Sequence, residues 1–209
     1  MNTIYNRIAG QSLERIAALS DGVFAIAMTL LVLELHVPAT ENIHTEGDLW
    51  NAIVTLSPHF LTYFMSFLTL GIFWVGQQTQ LNHVSRSNRN LAWIHLGFLL
   101  AVGVMPFSTA LLAEFITFRL ALVIYWFNIF LLGALLFAAW RYAVHAQLLK
   151  AEATSEVKAA TERRILIAQT LYATGALLCI FNTYLSIGVI VLIQLNYVFA
   201  PRIKWLYRI

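Results

Sequence analysis

Long apolar stretches alternate with short polar ones along this chain, and the apolar stretches are too uniform to be the faces of soluble helices. Six stand out: Ile16–His36, Pro58–Leu81, Leu91–Leu112, Leu120–Tyr142, Ile165–Leu185 and Ile187–Ile203. Each is close to the roughly 20 helical residues that cross a bilayer core. A core helix of a soluble protein would carry a polar stripe at the 3.6-residue period, and these stretches lack one. The last two are separated only by a tight connection near Asn182–Ser186. The pattern predicts an all-α, polytopic membrane protein with six spans in a single unit, residues 1–209. Within that unit, residues 145–164 include "KAEATSEVKAATERR", whose alternating charges and alanines predict a cytosolic helical connection. The acidic loop Val37–Ser57 is the other long connection.

Composition agrees with a lipid-facing surface. Hydrophobic residues make up 60% and charged residues 11%, whereas soluble domains carry about 25% charged residues. The placement of charge sets orientation. Arg7, Arg15, Arg86, Arg89, Arg141, Lys150, Lys158, Arg163, Arg164, Arg202, Lys204 and Arg208 all fall on one side of the six-span scheme, with only Arg119 on the other. The positive-inside bias then predicts that both termini are cytoplasmic. The net charge of +3 follows from topology, so nucleic acid is not an expected partner. Cys179 stands alone, which excludes an intrachain disulfide. The first apolar run is too long for a signal-peptide core and lacks a small-residue cleavage site, so it is expected to stay in the mature protein.

The first span carries the most informative chemistry. In "SDGVFAIAMTLLVLEL", Ser20–Leu35, an aspartate sits inside an apolar run. On a wheel at about 100° per residue, Gly22, Ile26, Leu30 and Leu33 share one face with Thr29 on its flank. Asp21 points about 140° away from Ile26, and Ser20 about 120° away on the other side. Ionisable groups in spans turn toward protein or water. Partners near the same side are Trp74, Gln77, Gln78, Asn82 and His83 on the second span. Trp74 and His83 are half a turn out of phase and would serve different neighbours. No second ligand at i+4 supports a metal site at His83, and none is expected. Glu34, at the outer end of the first span, is a candidate for an acidic mouth that gathers cations. Pro106 is expected to kink the third span. His95, Asn128, Gln194 and Asn196 read as interhelical hydrogen-bonding residues. Paired carboxylates or a His-rich cluster within the membrane are missing, which argues against an enzyme. A carrier would show repeated halves or broken helices, and neither is visible. Asp21 as a proton site keeps a proton- or ion-coupled secondary transporter as the alternative.

"RIAALSDGVFAIAMTLLVLEL", Arg15–Leu35, resembles the first-helix signature of the transmembrane protein 175 family, endolysosomal potassium channels with shorter bacterial homologues. Arg15, Ser20 and Asp21 match that signature, and Leu19 stands where the family has Phe. "FWVGQQTQLNH", Phe73–His83, and "MPFSTALL", Met105–Leu112, resemble its second and third spans. The resemblance implies a six-span subunit carrying one repeat, assembled as a homotetramer with the first helix lining a central pore. It further implies a potassium-preferring cation channel with a hydrophobic constriction in place of a carbonyl filter and K+ as the permeant ion. No other cofactor is expected; the partners are further copies of the chain, monovalent cations and the bilayer. Carried over by position, the constriction falls on Ile26, Leu30 and Leu33, and Thr29 matches a threonine implicated in selectivity. Arg15, Ser20, Asp21, Trp74 and His83 are then expected to tie the first helix to its neighbours. Arg15 lies on the pore side of the wheel and needs neutralising, by Asp21 of an adjacent chain or by turning outward into the headgroups.

Overall fold

Free backbone N–H groups in the first turn decide where most of these helices begin. The computed structural model describes residues 10–39 and 43–199, which form seven α-helices. In α1 (Leu13–Val32), Ser12 Oγ accepts from Arg15 N at 3.3 Å. The second helix, α2 (Glu46–Thr55), opens with a capping box in which Thr45 Oγ1 accepts from Asp48 N and Asp48 Oδ2 accepts from Thr45 N. Next, α3 (Ser57–His83) follows after Leu56 alone, with Pro58 in the first turn where an N–H is dispensable. Asn88 caps α4 (Arg89–Glu114), its Oδ1 accepting from Leu91 N at 2.9 Å. After α5 (Arg119–His145), Thr154 caps α6 (Ser155–Leu177). A short 3₁₀ turn at Leu178–Ile180 leads to α7 (Thr183–Phe199), where Asn182 Oδ1 accepts from the N–H groups of Tyr184 and Leu185.

Four helices, α1, α3, α4 and α5, are long and apolar enough to cross a membrane. The fifth and sixth expected spans take other boundaries. α6 starts in the charged segment at Ser155, runs unbroken through residues 155–164, and ends at Leu177 rather than Leu185. The chain reverses at 178–182 because Asn182 caps the next helix with its side chain. α7 is apolar but has 17 residues, short of the other four. The far end of the sixth expected span, and Arg7, Arg202, Lys204 and Arg208, lie outside the described residues. The acidic loop is not irregular: α2 occupies it, and its Asp48 carboxyl is held below the usual carboxylate range by the hydrogen bond from Thr45 Oγ1 and by the His44 and Thr45 N–H groups.

One end of the bundle gathers the basic residues. The loop after α3 pairs with the loop after α5: Ser85 N donates to Leu148 O, and Lys150 N to His83 O, both at 2.8 Å. α5 closes with bonds from Leu148 N to Ala143 O and Gln147 N to Val144 O, with Gln147 at φ 55° in the position glycine usually takes. Gly10, at φ 71°, brings the start of α1 against α4, where a Cβ would lie 3.0 Å from Arg89 Cα. At the opposite end His59 and Glu114 pair at 3.8 Å.

The core is built on the extensive contact between α4 and α5, with α1 and α3 packed on α4 and α6 on α5. Phe98, Val102 and Met105 meet Leu122, Tyr125 and Ile129 there, and Phe24 of α1 tilts onto Phe98 at 5.9 Å. One chain of polar groups inside this core is paired internally. Gln194 Nε2 donates to Thr69 Oγ1 at 2.6 Å, Thr69 and Ser66 both bond the Tyr125 hydroxyl, and Thr109 Oγ1 donates to Ser66 Oγ at 2.7 Å. Asn196 makes no such bond among the described residues. Pro106 sits inside α4 and has no N–H of its own. One rung earlier, the Asn128 amide bonds the α4 backbone: Nδ2 donates to Ala101 O at 3.0 Å, and Oδ1 accepts from Met105 N at 3.2 Å and from Ser108 Oγ.

Two outcomes follow. Asn128→Leu should lower thermal stability in detergent by about 1–3 kcal/mol, the cost of stranding buried backbone groups. Amide exchange in α2 should stay slow until pH falls through the lowered Asp48 value, because a depressed carboxyl stabilises the fold above its unfolded pKa and loses that effect on acidification. Asp48→Ala should remove the protection at neutral pH.

Candidate pore-lining face and its anchor

α1 buries a mixed face and exposes large aliphatic residues on the other. Ser20, Phe24, Ala27 and Leu31 are buried. On the other side Ile26 is 61%, Leu30 42% and Leu33 66% exposed within the subunit. Leu33 lies one residue past the helix in right-handed backbone geometry, so it continues the same path. Gly22 shares this face, with nothing within 4 Å of where a Cβ would stand. Thr29 Oγ1 donates back to Ala25 O and Ile26 O at 3.0 and 2.9 Å. Its proton is thus committed and its lone pairs face outward.

Two consecutive residues anchor the helix to α3. Asp21 Oδ1 accepts from Trp74 Nε1 and from Gln78 Nε2, both at 2.8 Å. Ser20 Oγ accepts from Gln77 Nε2 at 3.0 Å, and the same nitrogen lies 3.3 Å from His95 Nδ1 on α4. Ser20, Gln77 and His95 are all buried, so this second anchor is screened from solvent. α1, α3 and α4 are therefore joined by one polar cluster near the basic end.

The expected tether residues divide. Ser20, Asp21 and Trp74 come together; His83 does not join them. Its Nδ1 bonds the Thr79 carbonyl of its own helix, and its ring meets Trp140 of α5 edge-on at 6.3 Å. The histidine in the cluster is His95, which sits within an apolar span rather than at a span end. Arg15 forms no ion pair within the subunit, among the described residues, and lines a cleft with Leu19, His95 and Leu96. Glu34 lies half-buried just beyond α1, its carbonyl accepting from the His36 N–H.

An all-helical bundle with four helices long and apolar enough to cross a membrane is the architecture of a polytopic membrane protein, and the comparisons with known proteins give its family. A family model described as the endosomal/lysosomal potassium channel TMEM175 matches residues 15–106. A potassium channel of Chamaesiphon minutus is 36% identical over 181 residues, 84% of this chain and 88% of that one. Over 102 residues the chain is 41% identical to a potassium channel of Streptomyces collinus, covering 49% of this chain and about half of its relative (48%). Over a stretch of the same length it is 35% identical to the endosomal/lysosomal proton channel TMEM175 of Homo sapiens, covering 46% of this chain and 20% of that protein. The crystal structure of a lysosomal potassium-selective channel TMEM175 homolog from Chamaesiphon minutus superposes with a TM-score of 0.79 at 27% identity, over 91% of this chain and 98% of that one. The chain belongs to the TMEM175 family.

A double-mutant cycle between Asp21→Asn and Trp74→Phe, read by thermal unfolding in detergent, should return a coupling of about 1 kcal/mol. The cycle between Asp21→Asn and His83→Ala should return none.

Proposed function

We propose that several copies of this chain, four by the family resemblance, assemble around the exposed face of α1 to form a potassium-preferring cation channel. The observation that carries this reading is the pairing of a rigidly anchored helix with an outward aliphatic face: Ile26, Leu30 and Leu33 lie open while the polar residues beside them are tied inward. Each chain holds one copy of the first-helix sequence, so a pore lined by it needs several chains about a symmetry axis. Six crossings follow if α6 and α7 also traverse the bilayer, and the basic end then faces the cytoplasm.

In that assembly Ile26, Leu30 and Leu33 form stacked apolar rings that narrow and dry the pore. Thr29 presents hydroxyl lone pairs at the level between the Ile26 and Leu30 rings, where they replace part of an ion's hydration. Arg15 would place positive charge near the inner mouth. Among the described residues Asp21 uses only Oδ1 within the subunit, and its Oδ2 is the acceptor we assign to Arg15 of the adjacent copy. Glu34 lies at the outer mouth.

The test is a bi-ionic reversal potential on purified protein in a planar bilayer, with potassium on one side, sodium on the other and equal pH. Reversal toward the potassium equilibrium potential is expected. Reversal near zero would reduce the reading to an unselective cation pore, and current that follows an imposed pH gradient instead would make protons the principal carrier. Ile26→Asn should wet the constriction and raise single-channel conductance several-fold, on the order of a 1 kcal/mol fall in the barrier. Unchanged conductance would remove Ile26 from the constriction. Thr29→Val should lower the potassium-to-sodium permeability ratio while leaving assembly intact.

A further inference from the structure

A cavity of about 240 Å³ lies beside α3, between it and α5, α6 and α7. Ile72, Phe73, Leu136, Ile165 and Ala168 make apolar walls. Three polar atoms on residues that line it have no partner among the described residues: Gln169 Oε1, Tyr172 OH and Tyr197 OH. Tyr172 is 1% exposed. Buried polar groups in a bundle core are nearly always paired, and three of the seven unpartnered buried atoms among the described residues fall on residues that line this one space. Gln169 is held by packing: its amide nitrogen lies against Gly133 of α5, where any Cβ would overlap it. Arg164 is the one charged residue lining the cavity among the described residues, and its guanidinium stands 5.7 Å from the centre of the Tyr197 ring. Val75, Thr79, Ala160 and Arg164 are exposed and form the mouth.

The order of these groups along α6 identifies the occupant. Arg164 marks the change from the charged to the apolar part of the helix. Gln169 lies about 7–8 Å further along and Tyr172 about 12 Å further, at 1.5 Å per residue. A cation first, hydroxyl donors next and aliphatic walls alongside is the sequence of partners that a glycerophospholipid needs for its phosphate, its ester carbonyls and its chains. The absence of a carboxylate from the lining favours a lipid of net negative charge.

We propose that this cavity binds an anionic glycerophospholipid, its phosphate on Arg164 and its ester carbonyls accepting hydrogen bonds from Tyr172 and Tyr197. Gln169 Oε1 then accepts from a water held with the ester groups. The site sits one helix away from α1. Val75, Gly76 and Thr79 of α3 line it, while Trp74, Gln77 and Gln78 of the same turns hold Ser20 and Asp21. Occupancy therefore bears directly on the helix that sets the position of α1.

The test is native mass spectrometry of the purified full chain titrated with phosphatidylglycerol, phosphatidylcholine and dodecyl phosphate, with thermal stability measured in parallel. Lipid binding is read without ion flux, so failure of the channel reading would leave this result intact. The expected outcome is one retained phosphatidylglycerol per chain. Its affinity should fall about fivefold in Arg164→Ala, the share of one basic residue at an anionic headgroup. Tyr172→Phe and Tyr197→Phe should weaken binding while leaving the lipid-free melting temperature unchanged, since neither hydroxyl has a partner to lose. Ala168→Phe, which fills the space, should abolish retention. Equal retention of phosphatidylcholine would overturn the charge assignment, and equal competition by dodecyl phosphate would overturn the role of the esters. Unchanged affinity in Arg164→Ala and both tyrosine variants would overturn the site. A lipid-free destabilisation by Tyr172→Phe would show the hydroxyl to be partnered and overturn it as well.

Discussion

Asp21 and Ser20 set the rotation of α1, and most of what the subunit presents to its surroundings depends on that setting. A membrane helix made largely of Ile, Leu and Ala has little reason to prefer one rotation, because lipid chains are as apolar as the side chains of its neighbours. Two adjacent polar residues remove that freedom. Asp21 takes hydrogens from Trp74 and Gln78, and Ser20 takes one from Gln77, which also reaches His95. Turning α1 by one residue's angle would strand donors on α3 that have no alternative acceptor in hydrocarbon. Each bond contributes about 1 kcal/mol, so together they outweigh the near-zero difference between one aliphatic face and another. The exposure of Ile26, Leu30 and Leu33 is a consequence of this anchor rather than of their own chemistry.

The anchor works only because α3 is itself held. Behind it Gln194, Thr69, Tyr125, Ser66 and Thr109 link α7, α3, α5 and α4 through hydroxyl and amide bonds in the buried core. Asn128 does a related job within α4, supplying amide groups to Ala101 and Met105 next to Pro106. In water such bonds would compete with solvent. In the bundle interior they make the four-helix frame stiff and leave the outward helix faces to lipid or to neighbouring copies.

How far the sequence allows this to be read varies with the physics involved. Helical periodicity alone separates the Ile26, Leu30 and Leu33 face from Asp21 and Ser20, because a wheel needs only geometry and α1 is straight and uninterrupted. Histidine was harder. His83 lies at a span end and His95 inside one, which marks His95 as an interhelical hydrogen-bonding residue; that it meets Gln77 beside Ser20 is a tertiary fact. The boundary between α6 and α7 is legible only to within a few residues: the sequence places the connection near Asn182–Ser186, and the chain reverses at 178–182. Hydropathy stays high from Ile165 to Phe199, and only the ability of the Asn182 side chain to cap a helix marks the reversal. The acidic loop conceals α2 because ten residues with a capping box are legible only once Thr45 and Asp48 are taken as a pair.

If α1 lines a pore, the same anchor restricts how that pore opens. Rotation of α1 about its own axis would bring Thr29 inward, but it would break both the Asp21 and the Ser20 contacts at once. Tilting or translating α1 together with α3 keeps every one of those bonds and still separates the aliphatic rings. Movement of α1 and α3 as a pair against α5 and α7 instead puts its cost on the bonds that Thr69 and Ser66 make with Gln194 and Tyr125. On the side of α3 that faces α5, α6 and α7, about 240 Å³ is unfilled by protein, which leaves fewer dispersion contacts there. What fills that space then matters to the pore, because it decides whether α3 has room to move.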